Sequence, residues 1–257
     1  MRLIWTYDYG VFVDELANRN KIILLNLYTM SIQSAKRLGY HTIMYCTKNS
    51  ISYFEGLADE LHIVENKLNT PLYDYIKFQV LAEQEDDDYY LIDGDLILNF
   101  PLPIPTSDIT FDAYENHFTD TGYFSEDYEE VVNGLTDLGL SNVIIEWNNP
   151  KMFVINCGIL NIKGKENRKL YIDRWQSYNS FVMNNISKLP IKNLTNIGAQ
   201  YLLTLIRDYH NWSYTKMEYG FGRKGYYYTH YAGDGKYTNP IVPSNYITPN
   251  TKQKELI

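Results

Sequence analysis

The first hundred residues alternate apolar runs of strand length with stretches of helical periodicity, and nothing else in the chain limits its fold as strongly. Arg2 to Tyr7 reads as a strand. From Asn20 to Leu38, Ile22, Leu25, Tyr28, Ile32 and Ala35 recur at helical spacing, and Gly39 ends the helix. Tyr40 to Cys46 reads as a second strand, Ile51 to Ala58 as a helix, Glu60 to Val64 as a third strand and Leu72 to Gln84 as another helix. The acidic run from Glu83 to Asp88 follows, and mutual repulsion makes it a solvated loop. Tyr89-Tyr90-Leu91-Ile92 is then a buried fourth strand. This β-α-β-α-β-α-β order describes an α/β protein with a mostly parallel central sheet, right-handed crossovers and flanking helices.

The fourth strand runs directly into Asp93-Gly94-Asp95, which Leu96-Ile97-Leu98 follows. On an extended backbone, residues i and i+2 point to the same side, so the two carboxylates share a face. Holding them together is costly unless something positive lies between them. Oxygen ligands favour a hard divalent cation, and the carboxyl ends of strands are where open α/β sheets bind ligands. Gly94, lacking a side chain, lets another group approach the main chain closely.

After Pro101-Leu102-Pro103-Ile104-Pro105 the pattern changes. Asp108 to Glu115 and Met152 to Ile162 read as strands around a helix near Ser125 to Leu138; Lys165 to Asn185 and Thr195 to Tyr209 read as helices. From Tyr226 the chain is rich in Tyr, Gly and Pro, and Thr238 to Ile257 reads as an extended tail. No repeat or long linker divides the sequence. A single domain over residues 1–257 is expected, with residues 1–105 and 106–237 as two functional halves and 238–257 as the tail.

With 45% hydrophobic residues the chain can bury a substantial core. A net charge of -8 and pI of about 5.1 give no overall basic footprint for nucleic acid. Cys46 and Cys157 are too few for a disulfide framework and suit a reducing compartment. No signal-length apolar segment follows Met1 and no run reaches the ~18 apolar residues of a membrane span, so a cytoplasmic, soluble protein is expected. The 25 tyrosines leave two readings open: a compositional bias, or flat platforms for sugars and bases.

A second chemical signal is His230-Tyr231-Ala232-Gly233-Asp234-Gly235-Lys236. A neutral imidazole suits Mn²⁺-type ions, a lysine suits phosphate, and glycines let backbone amides approach an anion. By itself the pattern is equally a Gly-rich turn with a surface lysine. Joined to the upstream Asp-x-Asp, it supplies complementary parts for a metal–diphosphate.

Five segments in order carry a family resemblance: Ile4-Trp5-Thr6-Tyr7; Ser31 to Tyr40; Leu91-Ile92-Asp93-Gly94-Asp95; Asn156-Cys157-Gly158-Ile159-Leu160-Asn161-Ile162; and His230-x-x-Gly233-x-x-Lys236. With these the chain resembles glycosyltransferases of the GT-A fold, a Rossmann-like nucleotide-diphospho-sugar transferase fold. It is nearest in motif to retaining family 8, with features of family 32 and of uncharacterised relatives of both. The resemblance implies that Asp93, Asp95 and His230 hold Mn²⁺ or Mg²⁺ on the diphosphate of a nucleotide sugar, expected to be UDP-linked, with Gly233 and Lys236 on the same diphosphate. It implies a donor-facing basic residue near Lys77, with a solvated helix lysine the alternative. Tyr7 and Asp8 would meet base and ribose, or form a plain strand end. Asn156 would bind the donor sugar, and Asp112 its hydroxyls, with Glu115 a rival. Where family 8 has Asp-Gln-Asp, this chain has Ala199-Gln200-Tyr201; Gln200 would face the anomeric carbon, while the segment from Gly198 to Thr204 also resembles the helix start of family 32.

The expected activity is hexosyl or pentosyl transfer with retention to an acceptor hydroxyl, most commonly of a glycan or polysaccharide. Glycosylation of hydroxymethylated bases in phage or viral DNA is an alternative that the acidic pI does not favour. A nucleotidyltransferase would need a Gly-rich basic loop after the first strand, which Tyr7-Asp8-Tyr9-Gly10 does not supply, and a non-catalytic sugar-nucleotide-binding protein would have little use for the acidic pair and histidine. Oligomeric state is not readable.

Overall fold

The computed structural model describes residues 1–8, 15–65, 70, 72, 74–115, 125–147, 154–189, 193–217 and 227–230; for residues 15–22, 115 and 125–128 the backbone alone is described. In chain order the strands are β1 (Arg2–Tyr7), β2 (His41–Thr47), β3 (Glu60–Val64), β4 (Tyr89–Ile92), β5 (Leu96–Leu98), β6 (Ile109–Phe111), β7 (Tyr114–Glu115), β8 (Val154–Ile155), β9 (Ile159–Ile162), β10 (Tyr214–Lys216) and β11 (Tyr228–His230). The α-helices are α1 (Glu15–Arg37), α2 (Ile51–Phe54), α3 (Tyr75–Glu83), α4 (Ser125–Asp137), α5 (Lys165–Asn185), α6 (Leu194–Asn196) and α7 (Leu202–Tyr209).

Seven strands form the central sheet in the order β10-β6-β9-β4-β1-β2-β3. β4, β1, β2 and β3 run parallel, as the alternating pattern requires, and β9 lies antiparallel between β4 and β6. The expected α/β class, with a mostly parallel sheet flanked by helices, is borne out. Side chains alternate along β1: Leu3, Trp5 and Tyr7 join the core under α1, while Ile4 joins the core under α3, α5 and α7. Both faces are therefore covered, which is why these strands read as continuous apolar runs.

Several tyrosines fill this core. Tyr89, Tyr90, Tyr171 and Tyr178 are buried, and their hydroxyls donate to the carbonyls of Ile162, Pro103, Ala199 and Leu194 at 3.0, 3.0, 2.6 and 2.7 Å. Each large apolar ring is thus buried with its polar tip satisfied. These four act as core, not as ligand platforms.

Beyond the end of α3 the acidic run is the largely exposed loop expected, tied down by ion pairs: Asp86 pairs with Arg2, Asp88 with the amino terminus, and Asp87 with the buried Arg168 at 2.5 Å. Four local expectations are corrected. The expected strand from Asp108 to Glu115 breaks at Asp112-Ala113, and that from Met152 to Ile162 breaks at Asn156-Cys157-Gly158. The helix expected from Thr195 contains a π-helical turn at Ile197–Tyr201. Leu96–Leu98 leaves the central sheet and pairs antiparallel with β11, a strand not foreseen. No described helix is long and apolar enough to cross a membrane.

Candidate active site

Each of those interruptions places a side chain. At the end of β4 the Asp93 amide donates to the Gly158 carbonyl at 2.8 Å, and the Leu96 amide returns to the Asp93 carbonyl at 3.2 Å. This tight turn swings the chain out of the central sheet and buries Asp95. Gly94 is obligatory there: a Cβ would stand 2.1 Å from the ring of Tyr28, whose hydroxyl donates to the Thr6 carbonyl at 2.8 Å. The ring is pinned between β1 and the aspartate turn, so it has little freedom to move aside.

β11 pairs with β5 in a register that sets His230 opposite Leu96, beside Asp95. His230 Nε2 lies 3.5 Å from Asp95 Oδ1, and its Nδ1 lies 2.6 Å from Asp112 Oδ2. Ligand atoms of Asp93, Asp95 and His230 all fall within 4.8 Å of one another. The break after Phe111 turns Asp112 inward, where its other oxygen accepts from the Tyr228 hydroxyl. With Nδ1–H donated to Asp112, Nε2 is the nitrogen that faces Asp95, and it would bind a metal ion in exchange for its own proton. This is the second-sphere arrangement that fixes a metal-binding imidazole.

Gly158 keeps space for that ring. A Cβ there would lie 2.7 Å from His230 Cε1 and 2.8 Å from Asp112 Oδ2. Asn156, on the same interruption, accepts from the Gly158 amide at 2.7 Å through its Oδ1.

The electrostatics are set by burial and carboxylates. Burial disfavours the charged imidazole, but hydrogen bonds and charge from Asp112 and Asp95 outweigh it and hold His230 well above the ordinary histidine range. Lys77, on α3, donates to Asp93 Oδ1 at 2.6 Å. Burial would lower its pKa, yet Asp93, Cys157 and Asp74 raise it further, so the ammonium stays charged. Asp74, just before α3, is buried, and this pushes its carboxyl up to about 7 despite the opposing pull of Lys77.

These groups border one cleft of about 360 Å³, lined by Tyr7, Asp8, Lys77, Asp93, Asp95 and Gln200, among others. Six residues singled out in the sequence therefore meet at one place, at the carboxyl ends of β1 and β4. Gln200 reaches it from the π-helical turn, a distortion common at functional sites. Its Oε1 is buried and makes no hydrogen bond. His230, Asp112 and Asn156 are buried close beside Asp95 and Gly158. Glu115 lies on β7, and Gly233, Lys236 and the tail lie outside the described residues.

The donor set, two carboxylates and one imidazole with a fixed tautomer, fits a divalent cation such as Mn²⁺ or Mg²⁺. Sequence reasoning missed Asp74, Tyr28, Gly158 and Tyr228. Gly158 was within a quoted motif, but its role depends on a ring brought from β11, which spacing alone cannot reveal.

No protein-family model matches the chain, and no curated protein matches it. Among solved structures, the galactosyltransferase LgtC, in complex with donor and acceptor sugar analogs, is similar at 11% identity and TM-score 0.41, over 76% of this chain and 70% of that one. The glycosyltransferase GlyE of Streptococcus pneumoniae TIGR4 is similar at 12% identity and TM-score 0.41, over 84% of this chain and 45% of that one. Mouse xyloside xylosyltransferase 1 is similar at 10% identity and TM-score 0.38, over 84% of each chain.

Proposed function

We propose that this chain is a metal-dependent GT-A glycosyltransferase that moves a sugar from a nucleoside-diphosphate donor, UDP-linked, to a hydroxyl of a glycan acceptor with retention of configuration. The observation that carries the reading is the convergence of Asp93, Asp95 and His230 within 4.8 Å, at the mouth of a cleft that also holds Lys77. The acidic pair alone would be compatible with many functions; the tethered imidazole supplies the third ligand.

A divalent cation held by these three groups would supply Lewis-acid charge stabilisation on the departing diphosphate. Lys77 adds a fixed positive charge in a site screened from water, where it counts for more than in solution. Lys236 and the Gly233 amide join it on the diphosphate. Tyr7 and Asp8, at the end of β1, receive the base and ribose. Asn156 assists at the sugar, and Asp112 acts by orienting His230. Gln200 faces the anomeric carbon with a carboxamide, a weak nucleophile, so the leaving phosphate is left to take the acceptor's proton. In this reading residues 1–105 hold the donor and 106–237 the sugar and acceptor, in a cytoplasmic enzyme.

The test is incubation with a panel of nucleotide sugars and Mn²⁺, alongside thermal denaturation with UDP plus Mn²⁺. Slow donor hydrolysis and a stabilisation that needs both nucleotide and metal are expected, about 3 kcal/mol at hundredfold excess over Kd. Absence of both with every donor overturns the reading.

A further inference from the structure

The cleft contains a polar group that the metal–diphosphate chemistry leaves idle. Asp74 is 4% exposed, and neither of its carboxyl oxygens closes a hydrogen bond. Its own backbone amide and the Trp175 indole N–H stand close enough to favour its charged form, yet neither makes a bond of normal geometry to it. Lys77, one turn along α3, commits its ammonium to Asp93 at 2.6 Å. Gln200 Oε1, on the same cleft, is a further buried oxygen that makes no hydrogen bond. Leaving such acceptors unpaired is costly, and native interiors rarely do so without a reason.

What two idle acceptors in one wall of a cleft can bind is a pair of O–H donors. A phosphate offers none at neutral pH and is repelled by a carboxylate. A polyhydroxylated group offers several. Burial also pushes the Asp74 carboxyl up to about 7, so it can either accept from or donate to a hydroxyl. Ala199, also lining the cleft, brings no polar side chain to compete for the hydroxyls.

Resting on the proposed function, we propose that Asp74 is a specificity-determining residue that, with Gln200, grips hydroxyl groups of the transferred sugar. The bare nucleoside diphosphate makes no use of it. Binding is measured with the whole chain and Mn²⁺, using UDP, UDP-glucose, UDP-galactose and their deoxyfluoro analogues as probes. Asp74→Asn should bind UDP as the parent does, but lose about tenfold of the preference for the better UDP-sugar over UDP, the loss expected of a hydrogen bond to a charged group. In the parent, replacing one particular hydroxyl by fluorine should cost the same factor, and that replacement should cost nothing further in Asp74→Asn.

The fluoro series on the parent keeps the test decisive should the variant fold poorly. Unaltered preference in Asp74→Asn, a lower melting temperature as its only effect, or a parent that binds every UDP-sugar no better than UDP would each overturn the assignment. Failure of the parent to bind UDP with Mn²⁺ at all would instead overturn the proposed function, so the two failures are distinguishable.

Discussion

Two clusters in this molecule use the same side chains to different ends. At the sheet edge, Glu60 on β3 shares its oxygens between His41 Nε2 at 2.7 Å and His62 Nε2 at 3.0 Å, all three about half exposed. At the cleft, one imidazole, His230, lies between Asp95 and Asp112, all three nearly buried. In the first cluster one carboxylate is shared by two rings, and the other acid beside His41, Asp59 at 3.8 Å, is paired with Lys36, so nothing converges on an ion. In the second, one ring nitrogen is saturated by Asp112 and the other faces a carboxylate. Among the described residues only the second brings three ligand atoms together. Composition does not distinguish a site from a surface ion pair; the ratio of acids to imidazoles and the exclusion of water do.

The comparison can be broken most decisively at Asp95. Asp95→Ala should reduce Mn²⁺-dependent donor hydrolysis by roughly a hundredfold to a thousandfold and abolish metal-dependent thermal stabilisation. An unimpaired variant would reduce the buried cluster to the status of the exposed one. Next comes Asp112→Asn, which keeps the size but loses the charge and leaves one acceptor oxygen for two donors, the Tyr228 hydroxyl and His230 Nδ1–H. Mn²⁺ affinity, read by calorimetry, should fall about 10- to 100-fold. Gly158→Ala sharpens the role of space: its Cβ would crowd His230 Cε1 at 2.7 Å. A loss of about 1–3 kcal/mol of stability should accompany weakened metal binding. The smallest effect belongs to Glu60→Gln, worth at most about 0.5 kcal/mol by denaturant titration, with Mn²⁺ affinity unchanged. Hydrogen bonds from His41, then His62, depress the Glu60 pKa. Whatever stability it lends is therefore present above the ordinary glutamate range and disappears as pH falls through its own lowered pKa. A stability difference that instead grows on acidification would contradict that account.

Most of the parallel half of the fold was legible because its inner strands, β4, β1 and β2, are covered on both faces, and burial on two faces writes an unbroken apolar run. Arg2–Tyr7 and Glu60–Val64 have the limits read from the sequence. α1 begins at Glu15, not Asn20, because its first turn, Glu-Leu-Ala-Asn-Arg, carries little apolar periodicity. The second half of the fold was read less well. Asp112 and Asn156 sit where strands break so that polar groups can turn inward, and an alternation rule reads straight through such breaks. β10 and β11 have three residues each, too few for any period to register. The carboxylate pair was visible as a motif, and its imidazole as a weak pattern, but the carboxylate that steers the imidazole was expected to serve sugar hydroxyls. Asp74 escaped notice altogether: an isolated acid ahead of a helix looks like an ordinary cap until its oxygens are found idle.

β11 belongs to the small sheet with β5 rather than to the seven-stranded one. The His230 imidazole therefore reaches the two aspartates through a short ribbon that is not part of the seven-stranded scaffold. A chain emerging during synthesis acquires both aspartates and all of β4-β1-β2-β3 well before it acquires an imidazole. Under the proposed function, capture of an ion would wait until late in translation, and a half-made polypeptide would have no complete centre with which to squander activated sugar.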